Sequence, residues 1–304
     1  MGLTVTDKYN QSILLLALRR RKTECLKVIF SFDEATLKKL VKIANSRGRF
    51  PIHFAVSMMT SEPLERIVEL GEDVQRRDDK LETPLHYTVR AGSLKNVEFL
   101  LKTKDVDINS VSADGTSVLM AAILSYESFV RGTRVRAKKP IPRPFITIII
   151  RLLAANANIH LETQFPIFRV SRGAMSQAPL EIAVKGGLTD VAEILVSLGA
   201  RLPLGLNVQA SKYLKANEEL FDFVMTSLLQ PLSLKNLSRI KIRNELGVSM
   251  RFTISQLPLP RSLQEFLELS DYRELCLADV NTELQPDTSY SLNATYSDES
   301  DVDI

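Results

Sequence analysis

The stretch Thr83-Pro84-Leu85-His86 recurs along this chain in close copies at a constant distance. Phe50-Pro51-Ile52-His53 lies 33 residues earlier, and Thr116-Ser117-Val118-Leu119 lies 33 residues later. Further copies are Ala178-Pro179-Leu180-Glu181 and Ser12-Ile13-Leu14-Leu15. A repeat of about this length is typical of helix pairs that bury their apolar faces only by stacking on neighbouring pairs.

Each copy is expected to begin a helix. Pro84 suits the first helical position, where its missing N–H costs no hydrogen bond. Gly92 and Gly187, each nine residues after the start of a copy, suit the turn between two paired helices. His53 and His86 occupy the same place in two copies, and we expect their ring nitrogens to bond to a neighbouring loop rather than to a metal ion.

Period and motif together resemble ankyrin repeats, whose signature includes the Thr-Pro-Leu-His tetrapeptide. The resemblance implies an all-α fold, with an ankyrin-repeat solenoid of about six units, some degenerate, over residues 1–230. Residues 207–229 can supply the last, divergent helix pair. The fourth copy comes 62 residues after the third, which predicts an insertion at about 127–145 between the helices of the fourth unit.

The predicted insertion is basic and rich in proline. Three interpretations stay open for it: a solvated mobile loop, an arm that contacts an acidic substrate, or a segment for nuclear import or nucleic-acid contact. The basic residues concerned are Arg131, Arg134, Arg136, Lys138, Lys139 and Arg143.

The repeat pattern stops at Pro231, and a new helical pattern follows. Leu234, Ser238 and Ile242 lie at successive steps of four residues, which places them on one stripe of a helix. Leu237 and Ile240 form a second stripe. The segment Leu257-Pro258-Leu259-Pro260 then favours extended backbone, because proline has no N–H and restricts the residue before it. Leu263, Phe266 and Leu267 follow at helical spacing.

This C-terminal pattern resembles the SOCS box, a three-helix module, over residues 231–271. Its first helix is similar to the elongin-binding consensus, although Ser238 stands where that family usually has cysteine. The resemblance implies elongin contacts for the first helix and cullin-5 contacts, with the RING partner of cullin-5, for the second segment. The elongin residues are Leu234, Leu237, Ser238, Ile240 and Ile242. The cullin residues are Ile254, Leu257, Pro258, Leu259 and Pro260.

The remaining composition argues for an ordinary soluble chain. Only two cysteines are present, so no disulfide framework is expected. The N-terminus lacks the plan of a signal peptide, and no apolar run is long enough for a membrane span. Residues 272–304 hold eight acidic residues against one basic residue, Arg273, and are predicted to form a disordered acidic tail.

The function expected from these features is that of a non-catalytic adaptor. Elongin B, elongin C, cullin-5 with its RING partner and an unknown protein substrate are the expected partners, while membrane and nucleic acid are not. No catalytic, metal-binding or cofactor-binding pattern is found. A cytoplasmic location, with the nucleus as an additional one, is expected. The alternative is a non-degradative ankyrin scaffold whose box is weakened by Ser238, and a third class is a nuclear ankyrin factor.

Overall fold

The protein is built from stacked α-helices. The computed structural model describes residues 6–58, 60–135, 144–162, 178–201, 226, 231–247 and 250–272. The helices of its larger part are α1 (Ile13–Arg19), α2 (Thr23–Phe30), α3 (Glu34–Leu40), α4 (Pro51–Ala55), α5 (Glu62–Glu69), α6 (Pro84–Ala91), α7 (Leu94–Lys102), α8 (Val118–Val135), α9 (Pro144–Ala154), α10 (Pro179–Gly186) and α11 (Thr189–Ser197). Only an isolated bridge, Val111 to Ser117, has β geometry in these residues.

The described helices form five pairs: α1 with α2, α4 with α5, α6 with α7, α8 with α9, and α10 with α11. The first helices also contact the first helices of neighbouring pairs, as α6 does with α8 and α8 with α10. The predicted all-α solenoid is therefore confirmed. The predicted last pair, at 207–229, lies outside the described residues except for Thr226.

One short helix, α3, was not predicted. Asp33 caps it, because its carboxylate accepts a hydrogen bond from Thr36 N at 2.8 Å. Leu37 and Leu40 are fully buried. The residues were readable as a cap followed by an apolar pair three positions apart, but a helix of seven residues gives too short a pattern to stand out.

The repeated motif performs the local tasks expected of it. Pro84 begins α6, and Gly92 ends it with a φ of 67°, in the left-handed region. His86 Nδ1 accepts a hydrogen bond from Thr83 N at 3.2 Å, while Nε2 donates to the Thr116 carbonyl oxygen of the next unit at 3.2 Å. His53 repeats this arrangement, with Nε2 3.0 Å from the Arg76 carbonyl oxygen. The predicted bonding role of both histidines is confirmed.

The buried histidines make the solenoid sensitive to acid. Burial, together with the Arg90 charge, lowers the pKa of His86 from 6.5 to about 4. The neutral ring is the form that bonds both neighbours, so stability is complete above pH 6.5 and falls as pH drops towards 4, by about 3 kcal/mol. Urea unfolding at several pH values in this window measures the loss.

The matched variant is His86→Gln, which has no titrating group at this position. We expect it to be less stable than the wild type at pH 7 and to lose less stability on acidification. An equally steep acid dependence in the variant would show that His86 is not the group responsible.

A single apolar core runs along the described solenoid, from Leu14 in α1 to Ala200 after α11. Asn96, which is fully buried on α7, ties one unit to the previous one. Its Nδ2 donates to the carbonyl oxygens of Val56 at 2.9 Å and Met58 at 3.0 Å. These polar links between units supplement the apolar contacts that hold the stack together.

The predicted insertion at 127–145 is in part an extension of regular helices. Helix α8 continues to Val135, and α9 begins at Pro144. The extension is packed, because the Phe129 and Phe145 rings are 5.5 Å apart and Glu127 lies so close to Gly186 that a Cβ there would meet its Cγ at 2.9 Å. A loop interpretation therefore fails for 127–135, while 136–143 lie outside the described residues.

The C-terminal part is a smaller helical module. It contains α12 (Leu234–Leu246), α13 (Met250–Thr253) and α14 (Arg261–Leu267), with 3-10 turns at Ile254–Gln256 and Ser270–Tyr272. Its own core has two fully enclosed side chains, Ile254 and Leu267, with Leu246 and Leu259 against them. Leu269, by contrast, belongs to the core of the solenoid. So small a separate core indicates that the module depends on the solenoid for its stability.

Candidate protein-binding faces of the C-terminal helices

One face of α12 carries large apolar side chains that face solvent. Leu234 is 82% exposed, Leu237 46% and Ile242 38%. Ser238 is also exposed and lies between Leu234 and Ile242 on the predicted stripe. Ser233 caps the start of this helix, its Oγ accepting a hydrogen bond from Asn236 N at 3.2 Å. An apolar stripe left uncovered along a well-formed helix is typical of a protein-binding surface.

The opposite face of α12 is held against the solenoid by two buried arginines. Arg243 donates to the Leu267 carbonyl oxygen at 2.9 Å and to the carbonyl oxygen of Leu153 at the end of α9. Burial, with a smaller effect of the Arg239 charge, lowers the pKa of Arg243 to about 10, which leaves it charged at neutral pH. The guanidinium thus satisfies two carbonyl groups that belong to different parts of the fold.

Arg239 joins α12 to the end of the module. Its side chain is 1% exposed, stacks on the Phe266 ring at 3.7 Å and donates to Asp271 Oδ2 at 2.5 Å. Lys235 lies over the same ring at 4.6 Å. The stem and charge of Arg239 therefore cover apolar surface and pair with a carboxylate at the same time.

Further contacts place the module across two units of the solenoid. Asn156, in the turn after α9, donates from Nδ2 to the carbonyl oxygens of Arg243 at 3.1 Å and Gly247 at 2.9 Å. The hydroxyl oxygens of Tyr272 and Ser197, which ends α11, are 2.6 Å apart. The module thus contacts the fourth and fifth units directly and is fixed in orientation relative to them.

Ile240 is placed differently from the sequence prediction. It is half-buried and lies against Gly199, where an added Cβ would meet Ile240 Cδ1 at 3.0 Å. Because a helix turns about 100° per residue, Ile240 points to the side of Arg239 and Arg243 and away from Leu234. The structure therefore groups Leu234, Leu237, Ser238 and Ile242 on the outer face and Ile240 on the inner one.

The segment Leu257-Pro258-Leu259-Pro260 forms a second exposed feature. Gln264 on α14 holds it in shape, since its Nε2 donates to the carbonyl oxygens of Leu257 at 3.0 Å and Leu259 at 3.3 Å. Pro258 and Pro260 are exposed, Leu257 and Leu259 are half-buried, and Ile254 is buried in the module's core. The prolines and Leu257 can therefore contact a partner, whereas Ile254 supports the segment from inside.

The basic residues of the predicted insertion are only partly described. Arg131 is exposed on α8 and pairs with Glu127 at 2.6 Å. Arg134 belongs to the same helix, and Arg136, Lys138, Lys139 and Arg143 lie outside the described residues. Elsewhere in the described chain no group of three or more metal-ligating side chains comes together. None of the helices described there is long and apolar enough to cross a bilayer.

Comparison with known protein families matches both parts of the chain. The ankyrin repeat family model matches residues 80–113, which contain α6 and α7. The SOCS box family model matches residues 230–268, which contain α12 to α14. The chain is an ankyrin-repeat and SOCS-box-containing protein. It is therefore a protein-interaction adaptor of the kind found in SOCS-box ubiquitin ligases.

Relatives of this ankyrin-repeat and SOCS-box-containing protein share its repeats over part of their length. The nuclear factor NF-kappa-B p105 subunit of Gallus gallus is 25% identical over 56% of this chain, and the match covers 15% of that protein. The ANK repeat-containing protein nipk-1 of Caenorhabditis elegans and the neurogenic locus Notch protein of Drosophila melanogaster are each 29% identical over 27% of this chain. These matches span 14% and 3% of the two relatives.

Sequence reasoning missed the arginines that attach the SOCS box to the repeats. Arg239 and Arg243 are four residues apart and lie on the face of the helix opposite Leu234. That spacing was visible, but basic residues on the outer side of an apolar stripe ordinarily face solvent. The contact with Leu153, 90 residues away along the chain, has no local signal.

Proposed function

We propose that this protein is the substrate-recognition adaptor of an elongin B/C–cullin-5 RING ubiquitin ligase and contributes no catalytic group. The observation that carries the proposal is the exposed apolar face of α12, with Leu234 82% exposed on a helix whose other face is anchored. Burying one such side chain in a partner contributes about 1.5–3 kcal/mol. Leu234, Ser238 and Ile242 would insert into elongin C, with Leu237 beside them.

The Leu257–Pro260 segment would select the cullin. Gln264 holds its backbone through two carbonyl groups, and a preformed segment loses little conformational entropy on binding. The exposed rings of Pro258 and Pro260 then offer rigid apolar contacts to cullin-5.

A double change, Pro258→Ala with Pro260→Ala, is expected to lower the affinity of the elongin-bound protein for cullin-5 about tenfold, because it removes two apolar contacts and frees the backbone. Affinity for elongin B–C stays at the wild-type value, which distinguishes this effect from unfolding. Biolayer interferometry with immobilised cullin-5 measures both steps. Gln256→Ala, an exposed neighbour, is the matched control, and an equal loss in that variant would contradict the assignment.

The proposed mechanism is proximity. The ankyrin units would hold a protein substrate while the SOCS box holds the ligase, so a substrate lysine is presented at high effective concentration to the charged conjugating enzyme. Arg131, Arg134 and the other basic residues of 127–145 would extend this surface towards acidic substrates. The cytoplasm, with the nucleus in addition, is the proposed location.

The deciding experiment is calorimetric titration of the purified protein with elongin B–C, followed by addition of cullin-5. Sub-micromolar elongin binding followed by cullin recruitment supports the adaptor. The second candidate, a non-degradative scaffold, rests on Ser238, a polar residue at the centre of the apolar face. Absence of elongin binding, together with its recovery in Ser238→Cys, would decide for the scaffold.

A further inference from the structure

The loops that precede the first helices of the units are joined side by side. Ser46 N donates to the Tyr9 carbonyl oxygen at 3.1 Å, Asp79 N to Arg47 at 3.4 Å, and Ala113 N to Lys80 at 2.8 Å. Residues 7–11, 45–49, 78–82 and 112–116 therefore form one continuous edge of the solenoid, here named the loop row. A surface connected in this way can bind one partner across several units.

Each loop of the row has one residue with left-handed backbone at the corresponding place. Three of these residues are Asn10 with a φ of 58°, Gly48 with 67° and Gly115 with 78°. The fourth is Leu81, with a φ of 57°. Glycine and asparagine adopt this conformation readily, whereas the Cβ of leucine is forced close to a carbonyl oxygen. Leucine is thus an unfavourable choice for this position.

Packing inside the protein does not compensate for this strain at Leu81. The side chain is 46% exposed. Leu269 provides the contrast, because it has a similar φ of 61° but is 1% exposed in the core. Arg21, also left-handed with a φ of 52°, keeps its charge in water. Leu81 therefore combines a strained backbone with an exposed apolar side chain, a combination that the free protein gains nothing from.

The loop that carries Leu81 is held rigidly. Asp78 Oδ1 accepts hydrogen bonds from Lys80 N and Glu82 N, each at 2.9 Å. Asp78 Oδ2 accepts a third from the Tyr87 hydroxyl at 2.6 Å. The buried carboxylate thus fixes the turn on both sides of Leu81, and the side chain is presented in one orientation before any partner binds.

The surroundings of Leu81 are apolar and basic. Tyr9 is 43% exposed and Val111 37%, and the side chains of Lys8, Arg77 and Lys80 are exposed nearby along the row. Two acidic residues of the row are engaged locally. Asp7 Oδ1 accepts from Tyr9 N and Gln11 N, and Asp114 Oδ1 accepts from Ser112 Oγ and Thr116 N.

The geometry points to Leu81 as the anchor of a binding site for an acidic peptide segment that carries a large apolar side chain. The apolar side chain would pack on Leu81, with Tyr9 and Val111 beside it, and the flanking carboxylates would pair with Lys8 and Lys80. This inference deepens the proposed function, because it names the class of substrate and rests on the adaptor role for calling the bound peptide a substrate.

The test uses a random peptide library displayed on phage, selected on the full chain and counter-selected on Leu81→Asn. Asparagine suits the left-handed backbone, as Asn10 does in the first loop, so the variant folds. The selected sequences are expected to share an apolar residue flanked by Asp or Glu. A synthetic consensus peptide is expected to bind Leu81→Asn at least tenfold more weakly and Lys80→Glu several-fold more weakly than the wild type. Val28→Asn, another exposed apolar site, is the matched control with unchanged binding.

Several results would overturn the inference. They are an absence of enrichment, equal peptide binding by Leu81→Asn, or a melting temperature lowered by several degrees in that variant, since Leu81 would then stabilise the fold. A wild-type dimer that Leu81→Asn abolishes would assign the surface to a second copy of the chain. Elongin titration of the same variants separates this outcome from failure of the adaptor role, because α12 is untouched by the substitution.

Discussion

Leu234→Asp is expected to lower the affinity for elongin B–C by at least about 100-fold. The substitution removes an apolar contact worth about 2 kcal/mol and buries a carboxylate in the same pocket, which costs at least as much again. Together these losses exceed the 2.8 kcal/mol, roughly, that correspond to a 100-fold change. Calorimetric titration of wild type and variant measures the difference.

Folding of the variant is not expected to suffer. Leu234 is 82% exposed and begins α12, where a negative charge interacts favourably with the helix dipole. Val28→Asp is the matched control, because Val28 is 62% exposed on α2 at the other end of the solenoid. It should bind elongin like the wild type. Unchanged elongin binding by Leu234→Asp would refute the assignment of this face.

Arg243→Met is expected to lower the free energy of unfolding by about 3 kcal/mol. Arg243 is 5% exposed and satisfies the carbonyl oxygens of Leu153 and Leu267. Methionine fills a similar volume but leaves both buried carbonyl groups without this donor, at a cost of about 1–3 kcal/mol each. Urea unfolding followed by circular dichroism measures the change.

The SOCS box should also separate from the repeats in Arg243→Met, because its own core encloses only two side chains. Hydrogen exchange of the amides of α12 and α14 is expected to rise more than that of α6. Lys241→Met is the matched control on the same helix, since Lys241 forms only an exposed pair with Glu245. A stability loss in Lys241→Met equal to that in Arg243→Met would contradict the role of Arg243.

The repeat units were predictable because their signals are local. A helix start needs only a motif such as Thr83 to His86, and its end needs only Gly92 with its positive φ. The same holds for the stripe of Leu234, Ser238 and Ile242, which follows from helical periodicity within nine residues. Such patterns are complete within one or two turns of chain, so they can be read without knowledge of the fold.

The anchoring of the SOCS box could not be read in this way. Arg243 meets Leu153 across 90 residues, and Asn156 meets Gly247 across 91. Which side of α12 faces the solenoid follows from these distant contacts, and they turn Ile240 inward. The helical continuation of α8 to Val135 likewise depends on Phe145 and Gly186, which pack against it from other helices.

By itself, the sequence determined the all-α class, the repeated helix pairs, the C-terminal box and the apolar stripe of α12, because each of these depends on neighbours within a few residues. Only the tertiary structure decided that Leu234 stays exposed while Arg239 and Arg243 are buried, and that Leu81 is strained without being packed. Burial and backbone strain result from contacts between segments far apart in the chain, which no local pattern encodes.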